Sequence, residues 1–260
     1  MAIVVSEKNK REMSTERDFP GPVEVRQRYC ILSSPRSGST LLGRMLYETG
    51  AAGDPQEYFN PPLLIHERQR SGDEKMAVGE FIRRMQARRT SPNGVFGMKM
   101  HYSQMLGAFG AKAPTNDMLG HLKRYQQLIW IRRRDRLRQA ISQALGQKTG
   151  VWSSEESRGS PVAEVKLQPY ECVRALQMVC GDDFGWQRLI QSTGIKVHEV
   201  WYEDLVSDYD NQCRQVLKYL QIDDAVPTIP KPPLQRQATE LNERLHAQLC
   251  QYLGVTETAS

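Results

Sequence analysis

The sequence lacks several features that would assign a protein to a class at once. Its 260 residues include five cysteines, but no two of them form a C-x-x-C pair, so neither a structural zinc site nor a disulfide framework is indicated. No run of about 18 apolar residues is present, and we therefore expect no integral membrane segment. Residues 1–24 contain no apolar core of the secretory type. These absences predict a cytoplasmic protein with reduced thiols.

The chain also lacks a strong excess of charge of one sign. It contains 35 basic and 30 acidic residues, which give a formal net charge of +5. That excess suits a small anionic ligand and is too weak to indicate a nucleic-acid-binding protein. We find no cluster of carboxylates and histidines with the spacing of a metal site, so no metal is expected. The length is sufficient for one large α/β domain with a buried core.

Turn and strand patterns divide the chain into an arm and one domain. Residues 1–25 mix charged residues with a Pro-Gly-Pro turn and predict a mobile N-terminal arm, while residues 26–260 predict a single domain. Apolar runs predict strands over residues 29–33, 95–99, 127–131 and 196–200. Helical patterns occur over residues 39–49, 75–89, 135–148, 167–191 and 208–220. Strands that are separated by helices predict an α/β fold with a central parallel sheet flanked by helices.

The most informative segment follows the first predicted strand, where residues 33–40 read S-S-P-R-S-G-S-T. A strand that ends at small residues and continues as a helix presents backbone N–H groups and the positive end of the helix dipole. A cation and several hydroxyl groups are added on either side of Gly38 by Arg36, Ser37, Ser39 and Thr40. The segment therefore predicts a site for an anion with several oxygens, such as a phosphate or a phosphosulfate.

This segment differs from the loop of nucleotide triphosphatases. That loop, G-x-x-x-x-G-K-[ST], uses its Lys for the terminal phosphates and its Ser or Thr for Mg²⁺. Here no Gly-Lys-Ser/Thr occurs, and the cation Arg36 precedes Gly38. A nucleotide or sugar kinase and a non-catalytic nucleotide-binding module remain open as alternatives, although a kinase should have the missing Lys and a carboxylate for Mg²⁺.

Two motifs together resemble a known enzyme family. Residues 35–42 (P-R-S-G-S-T-L-L) and residues 54–59 (D-P-Q-E-Y-F) resemble bacterial trehalose 2-sulfotransferases and their relatives. The first motif is similar to the loop that holds the 5′-phosphosulfate of PAPS in sulfotransferases. The second is more specific to the trehalose-type branch. The resemblance extends in patches from about residue 28 to about residue 241 and implies a P-loop-like sulfotransferase fold.

The resemblance also implies a reaction and its participants. The chain would move a sulfuryl group from PAPS to a hydroxyl group of a carbohydrate or glycolipid acceptor, and would release adenosine 3′,5′-bisphosphate. A trehalose-like disaccharide is the expected acceptor. Such a transfer is an in-line displacement that needs no metal, because the donor anhydride is already activated. The family resemblance further implies that a homodimer is possible.

The resemblance implies residues for the 3′-phosphate of PAPS as well. In sulfotransferases an Arg at the end of a strand and a Ser eight residues later bind this group, and Arg134 and Ser142 have that spacing. Arg133 is the alternative, because this chain has Arg-Asp-Arg where the family has a small or proline-containing turn. Arg236 lies in a segment similar to the one that closes over the nucleotide, and is a candidate second ligand.

Two residues compete as the general base that takes the proton of the acceptor hydroxyl. Glu57 matches the glutamate base of trehalose-type enzymes, and a carboxylate suits this role if partial burial raises its pKa toward neutrality. His101 is the alternative, because residues 99–101 (K-M-H) resemble the K-x-H element of eukaryotic cytosolic sulfotransferases, whose His is the base. We favour Glu57. Lys99 and Arg36 are expected to stabilise charge on the sulfuryl oxygens and on the leaving group.

Two aromatic features remain open in the sequence. Residues 201–205 (W-Y-E-D-L) resemble an element of the wider superfamily that follows a core strand and is architectural. Trp152 lies in a polar segment, where its ring either stacks on a sugar or adenine or packs within the protein.

Overall fold

A four-stranded parallel sheet organises the chain. The computed structural model describes residues 5–112, 115–152, 165–232 and 240–255. Its strands are β1 Gln27–Ser33, β2 Val95–His101, β3 Gln127–Arg132 and β4 His198–Trp201, in the spatial order β2-β1-β3-β4. Every neighbouring pair is parallel. The predicted α/β fold with a central parallel sheet is confirmed, and each predicted strand overlaps one observed strand.

Helices surround this sheet. Within the described ranges they are α1 Glu7–Glu12, α2 Ser39–Glu48, α3 Pro61–Ser71, α4 Val78–Arg89, α5 Tyr102–Ala108, α6 Asn116–Leu122, α7 Arg136–Thr149, α8 Pro169–Thr193, α9 Tyr202–Ser207, α10 Tyr209–Tyr219 and α11 Glu240–Leu253. In the same part of the chain, each helix is too short or too polar to cross a membrane.

The side chains of β1 are buried on both faces of the sheet. Cys30 and Leu32 belong to one apolar cluster, whereas Tyr29 and Ile31 belong to another on the opposite face. Successive side chains of a strand point to opposite faces, and a parallel sheet covered on both sides reads as a continuous apolar run. This packing explains why the central strands are easily recognised in the sequence.

The strand order determines where a ligand can bind. The chain passes from β1 to β2 on one side, and then crosses to β3 on the other side of β1. In register, Ser33 at the end of β1 is opposite both His101 of β2 and Ile131 of β3. Ligands of open parallel sheets bind at the carboxyl edge where the strand order reverses. The loop after β1 lies at this point.

The N-terminal arm predicted over residues 1–25 contains a packed segment, residues 5–19, in the part that the structure describes. Helix α1 packs against α3, and a 3-10 turn follows at Thr15–Arg17. Met13 is 1% exposed and belongs to the main apolar cluster. Charged composition predicted mobility, but the charges of Arg17 and Asp18 are paired with partners far along the chain. Residues 5–19 are therefore packed on the domain.

Candidate active site

The loop between β1 and α2 has an unusual backbone. Arg36 has a φ of +62° and Gly38 a φ of +94°, and Gly38 is the N-cap of α2 without a side-chain hydrogen bond to the helix. A Cβ atom at Gly38 would lie 2.5 Å from Cδ2 of Tyr202. Glycine is thus required by both its conformation and the close approach of the Tyr202 ring. The helix start presents first-turn N–H groups to an anion.

Hydrogen bonds from α7 hold this loop in place. Gln139 of α7 is fully buried, and its Nε2 donates to Oγ of Ser34 at 2.9 Å and to the backbone carbonyl of Pro35 at 2.6 Å. The Ser37 hydroxyl is also buried, yet it has no hydrogen-bond partner among the residues that the structure describes. Buried polar groups normally have partners. An anion held by the loop would supply one.

Arg36 joins the loop to α7. Its Nε donates to Oγ of Ser142 at 2.8 Å, and its guanidinium also donates to the backbone carbonyl of Trp152. The Trp152 ring packs against Gly146 of α7. Two groups that the sequence assigns to opposite ends of the nucleotide, Arg36 and Ser142, are therefore in direct contact.

The two candidate arginines after β3 have different surroundings. Arg134 makes two hydrogen bonds with the Asp204 carboxylate, at 2.5 and 2.8 Å, and its side chain is 49% exposed. Arg133 is 15% exposed and lies over the Tyr202 ring, at 4.7 Å from its centroid. That ring is the one that contacts Gly38. Of the two candidates for the 3′-phosphate, Arg133 is therefore the one in contact with Tyr202, whose ring packs against the loop.

Glu57, Lys99 and His101 meet beside the loop. Gln56 forms a parallel bridge to Met98 of β2, which places the next residue, Glu57, along the end of that strand. Oε1 of Glu57 lies 3.4 Å from Nζ of Lys99, and Oε2 lies 3.6 Å from Nε2 of His101. Nζ of Lys99 also donates to Oγ1 of Thr40 at 3.3 Å. One ammonium group therefore contacts both the carboxylate and the loop.

The pKa of Glu57 shifts opposite to the sequence expectation. Burial alone would raise the pKa, but the His101 ring, which adds positive charge when it is protonated, and the Lys99 ammonium outweigh it and hold the pKa of Glu57 well below its usual range. The expectation of a pKa near neutrality neglected these two neighbours. The carboxylate is thus ionised at neutral pH, and the lowered pKa makes it a weaker proton acceptor than an ordinary glutamate.

Sequence reasoning missed two polar residues of this cluster. Nε2 of Gln104 donates to Oε2 of Glu57 at 2.8 Å, while its Oε1 accepts from the backbone N–H of His101 at 3.0 Å. Asp182 of α8 accepts from the backbone and the hydroxyl of Ser103, and burial raises its pKa. A Gln three residues into a helix is a recognisable capping signal. No local signal identifies Asp182, which comes from a distant helix.

One predicted site residue, Arg236, lies outside the described residues. In the ranges that the structure does describe, no group of three or more His, Cys, Asp or Glu side chains has an arrangement that would hold a metal ion.

Known proteins resemble this chain over most of its length. The family model for Stf0 sulphotransferase matches residues 28–247. The trehalose 2-sulfotransferase of Mycolicibacterium smegmatis is 27% identical over 248 residues, which cover 83% of this chain and 91% of that protein. The trehalose 2-sulfotransferase of Mycobacterium tuberculosis is 24% identical over 253 residues, with the same coverage of both chains. Among solved structures, a sulfotransferase domain from the curacin biosynthetic pathway aligns with a TM-score of 0.44 and 13% identity, over 91% of this chain and all of that one.

The fold, the loop and the family match define a sulfotransferase. The chain belongs to the Stf0 sulphotransferase family and resembles its trehalose 2-sulfotransferases. This assignment favours the enzyme over the kinase and the non-catalytic module that the sequence alone left open.

Proposed function

We propose that this sulfotransferase takes its sulfuryl group from PAPS and transfers it to a hydroxyl group of a carbohydrate or glycolipid. Both relatives are named trehalose 2-sulfotransferase, so trehalose is the acceptor to test first. One observation carries the proposal. Lys99 contacts both Glu57 and Thr40, which joins an ionised carboxylate to the anion-binding loop. A homodimer, a cytoplasmic location and a single domain over residues 26–260 remain predictions.

The loop suits the phosphosulfate end of the donor. The buried Ser37 hydroxyl can donate to an anion oxygen, and the start of α2 adds N–H groups and a positive dipole. PAPS, when bound, supplies the activated sulfuryl group. Arg36 and Lys99 place positive charge beside it, where negative charge grows on the leaving group and the transferring oxygens.

For the 3′-phosphate we propose Arg133 together with Ser142. Arg133, whose Nε lies 3.9 Å from Glu203, is the less exposed of the two arginines and lies over the ring that touches the loop, whereas Arg134 makes two short hydrogen bonds with Asp204. Ser142 already contacts Arg36, so its hydroxyl lies within reach of the loop. Arg236 keeps its place as a candidate from the sequence alone.

We assign the role of general base to Glu57. Its carboxylate is ionised, and Gln104 and Lys99 hold it in place beside the loop. An anion bound against Lys99 offsets the charge of that ammonium group, which raises the pKa of Glu57 and favours proton uptake. His101, 3.6 Å from Glu57, would then stabilise the carboxylate and contact the acceptor.

Separate substitution of each candidate base tests this assignment. Glu57→Gln keeps the size and the contact with Gln104 but cannot take a proton, and His101→Asn is the matched change at the alternative position. With radiolabelled PAPS and trehalose, Glu57→Gln should lower kcat by about 10²–10⁴-fold, the usual contribution of general-base catalysis, and His101→Asn by less.

Calorimetric binding of adenosine 3′,5′-bisphosphate is the control. Both variants should keep binding this product, because neither side chain lies in the proposed phosphate sites. Glu57→Gln, which removes a negative charge beside Lys99, should bind it no more weakly than the parent. An active Glu57→Gln beside an inactive His101→Asn would make His101 the base.

A further inference from the structure

A buried carboxylate lies three residues before the proposed base. Asp54 is fully buried, and its two oxygens accept from Arg17, at 2.6 and 2.9 Å, and from the buried guanidinium of Arg89. Nε2 of Gln56 adds a further hydrogen bond at 2.9 Å. The buried Asp54 carboxylate therefore has hydrogen-bond donors for both of its oxygens. Removal of one arginine would leave the remaining buried charges without full compensation.

The same arginines hold the N-terminal segment. Arg89 donates to the backbone carbonyl of Ser14 at 2.9 Å and pairs with Asp18 at 2.8 Å. Asp18 also accepts from Arg88, and the backbone N–H of Phe19 donates to the carbonyl of Arg88 at 2.9 Å. The N-terminal segment and helix α4 are therefore joined around the Asp54 carboxylate.

The backbone around Glu57 is tied to the backbone of Asp54 and Arg89. The N–H of Asp54 donates to the carbonyl of Arg89 at 3.1 Å, and the hydroxyl of Tyr58 donates to the carbonyl of Asp54 at 2.6 Å. Tyr58 in turn shares an apolar cluster with Met13 of the N-terminal segment. The residues on either side of Glu57 are thus fixed by contacts that include residues 13–19.

We propose that Arg17, in the packed segment of residues 5–19, is a positioning residue for Glu57. Arg17 and Arg89 hold Asp54 between them, and this fixes the Glu57 carboxylate relative to Lys99 and the loop. The inference rests on the proposed function, because it takes Glu57 as the base.

A double-variant comparison tests the proposal in the full chain. Arg17→Gln is made in the parent and in Glu57→Gln, and kcat is measured with radiolabelled PAPS and trehalose. A misplaced catalytic group can cost up to about 100-fold, so we expect a loss of about 10- to 100-fold in the parent. In Glu57→Gln the same change should alter kcat less than about twofold, because coupled residues are not additive.

Three controls accompany this comparison. Arg17→Lys, which keeps the charge, should be more active than Arg17→Gln and less active than the parent. Arg83→Gln removes an exposed arginine that pairs only locally with Glu80, and should leave kcat unchanged. Binding of adenosine 3′,5′-bisphosphate should not be weakened in any of these variants.

Hydrogen exchange provides a readout that does not depend on activity. In Arg17→Gln, the backbone amides of residues 56–60 should exchange faster, while those of residues 37–40 should not change. An equal loss of kcat in both backgrounds would show general loosening and overturn the proposal, as would unchanged exchange at residues 56–60. If Glu57→Gln is itself fully active, the assignment of the base fails, whereas the exchange result still decides whether Arg17 holds this segment.

Discussion

Gly38→Ala should weaken nucleotide binding as well as folding. Two effects add at this position. The backbone at φ +94° is unfavourable for alanine by about 1–2 kcal/mol, and the new Cβ would lie 2.5 Å from the Tyr202 ring. Because 3.4 Å is an ordinary contact, the ring or the loop must move by about 1 Å.

That displacement reaches the proposed phosphate site. The Tyr202 ring is adjacent to Gly38 and also carries the guanidinium of Arg133, 4.7 Å from its centroid, so a displaced ring disturbs the position of Arg133. Loss of one hydrogen bond to a charged group costs about 1.5–3 kcal/mol, which corresponds to an increase of about 10- to 150-fold in the Kd for adenosine 3′,5′-bisphosphate.

Gly50 offers a matched control at the other end of α2. It also has a positive φ, +69°, but a Cβ there would meet nothing within 4 Å. Gly50→Ala should therefore lose about 1–2 kcal/mol of unfolding free energy and bind the nucleotide normally. The assays are urea unfolding and isothermal titration calorimetry. Equal nucleotide affinity in both variants would refute the role assigned to the contact between Gly38 and Tyr202.

Two further predictions concern the second phosphate site and the acid stability of the fold. Arg133→Gln should bring the affinity for adenosine 3′,5′-bisphosphate close to that for adenosine 5′-monophosphate, whereas Arg134→Gln should keep the preference for the bisphosphate. If calorimetry shows the reverse, Arg134 is the ligand of the 3′-phosphate, as its spacing from Ser142 suggests. Burial lowers the pKa of His121 from 6.5 to about 4, so the unfolded chain takes up this proton first and stability is lost as the pH falls through that range. The loss approaches about 3 kcal/mol at pH 4 and should be absent from His121→Leu, and an equal acid sensitivity of both proteins in urea unfolding would contradict it.

Local patterns were sufficient to predict the framework and the loop. The strand at residues 29–33, the small residues after it and the helix at residues 39–49 are consecutive in the chain, so their geometry follows from short-range rules. Helix α3 was missed because Asn60, Pro61 and Pro62 suggest an interruption. Proline is compatible with the first turn of a helix, where its missing N–H has no partner to lose.

Long-range pairing explains what the sequence did not predict. Arg17 and Asp54 are 37 positions apart, and no local pattern shows that a charged N-terminal segment will pair with a buried carboxylate. The same holds for the pKa of Glu57, which depends on Lys99 and His101 of β2, residues far along the chain that the bridge between Gln56 and Met98 brings near. The choice between Arg133 and Arg134 also required the position of Tyr202.

Transfer of label from PAPS to trehalose tests the central claim most directly. The purified chain is incubated with radiolabelled PAPS and trehalose, and then with other disaccharides and glycolipids in place of trehalose, without added metal. The account predicts a labelled, sulfated sugar and one equivalent of adenosine 3′,5′-bisphosphate for each transfer. Unconsumed PAPS and the absence of labelled product with every acceptor would contradict it.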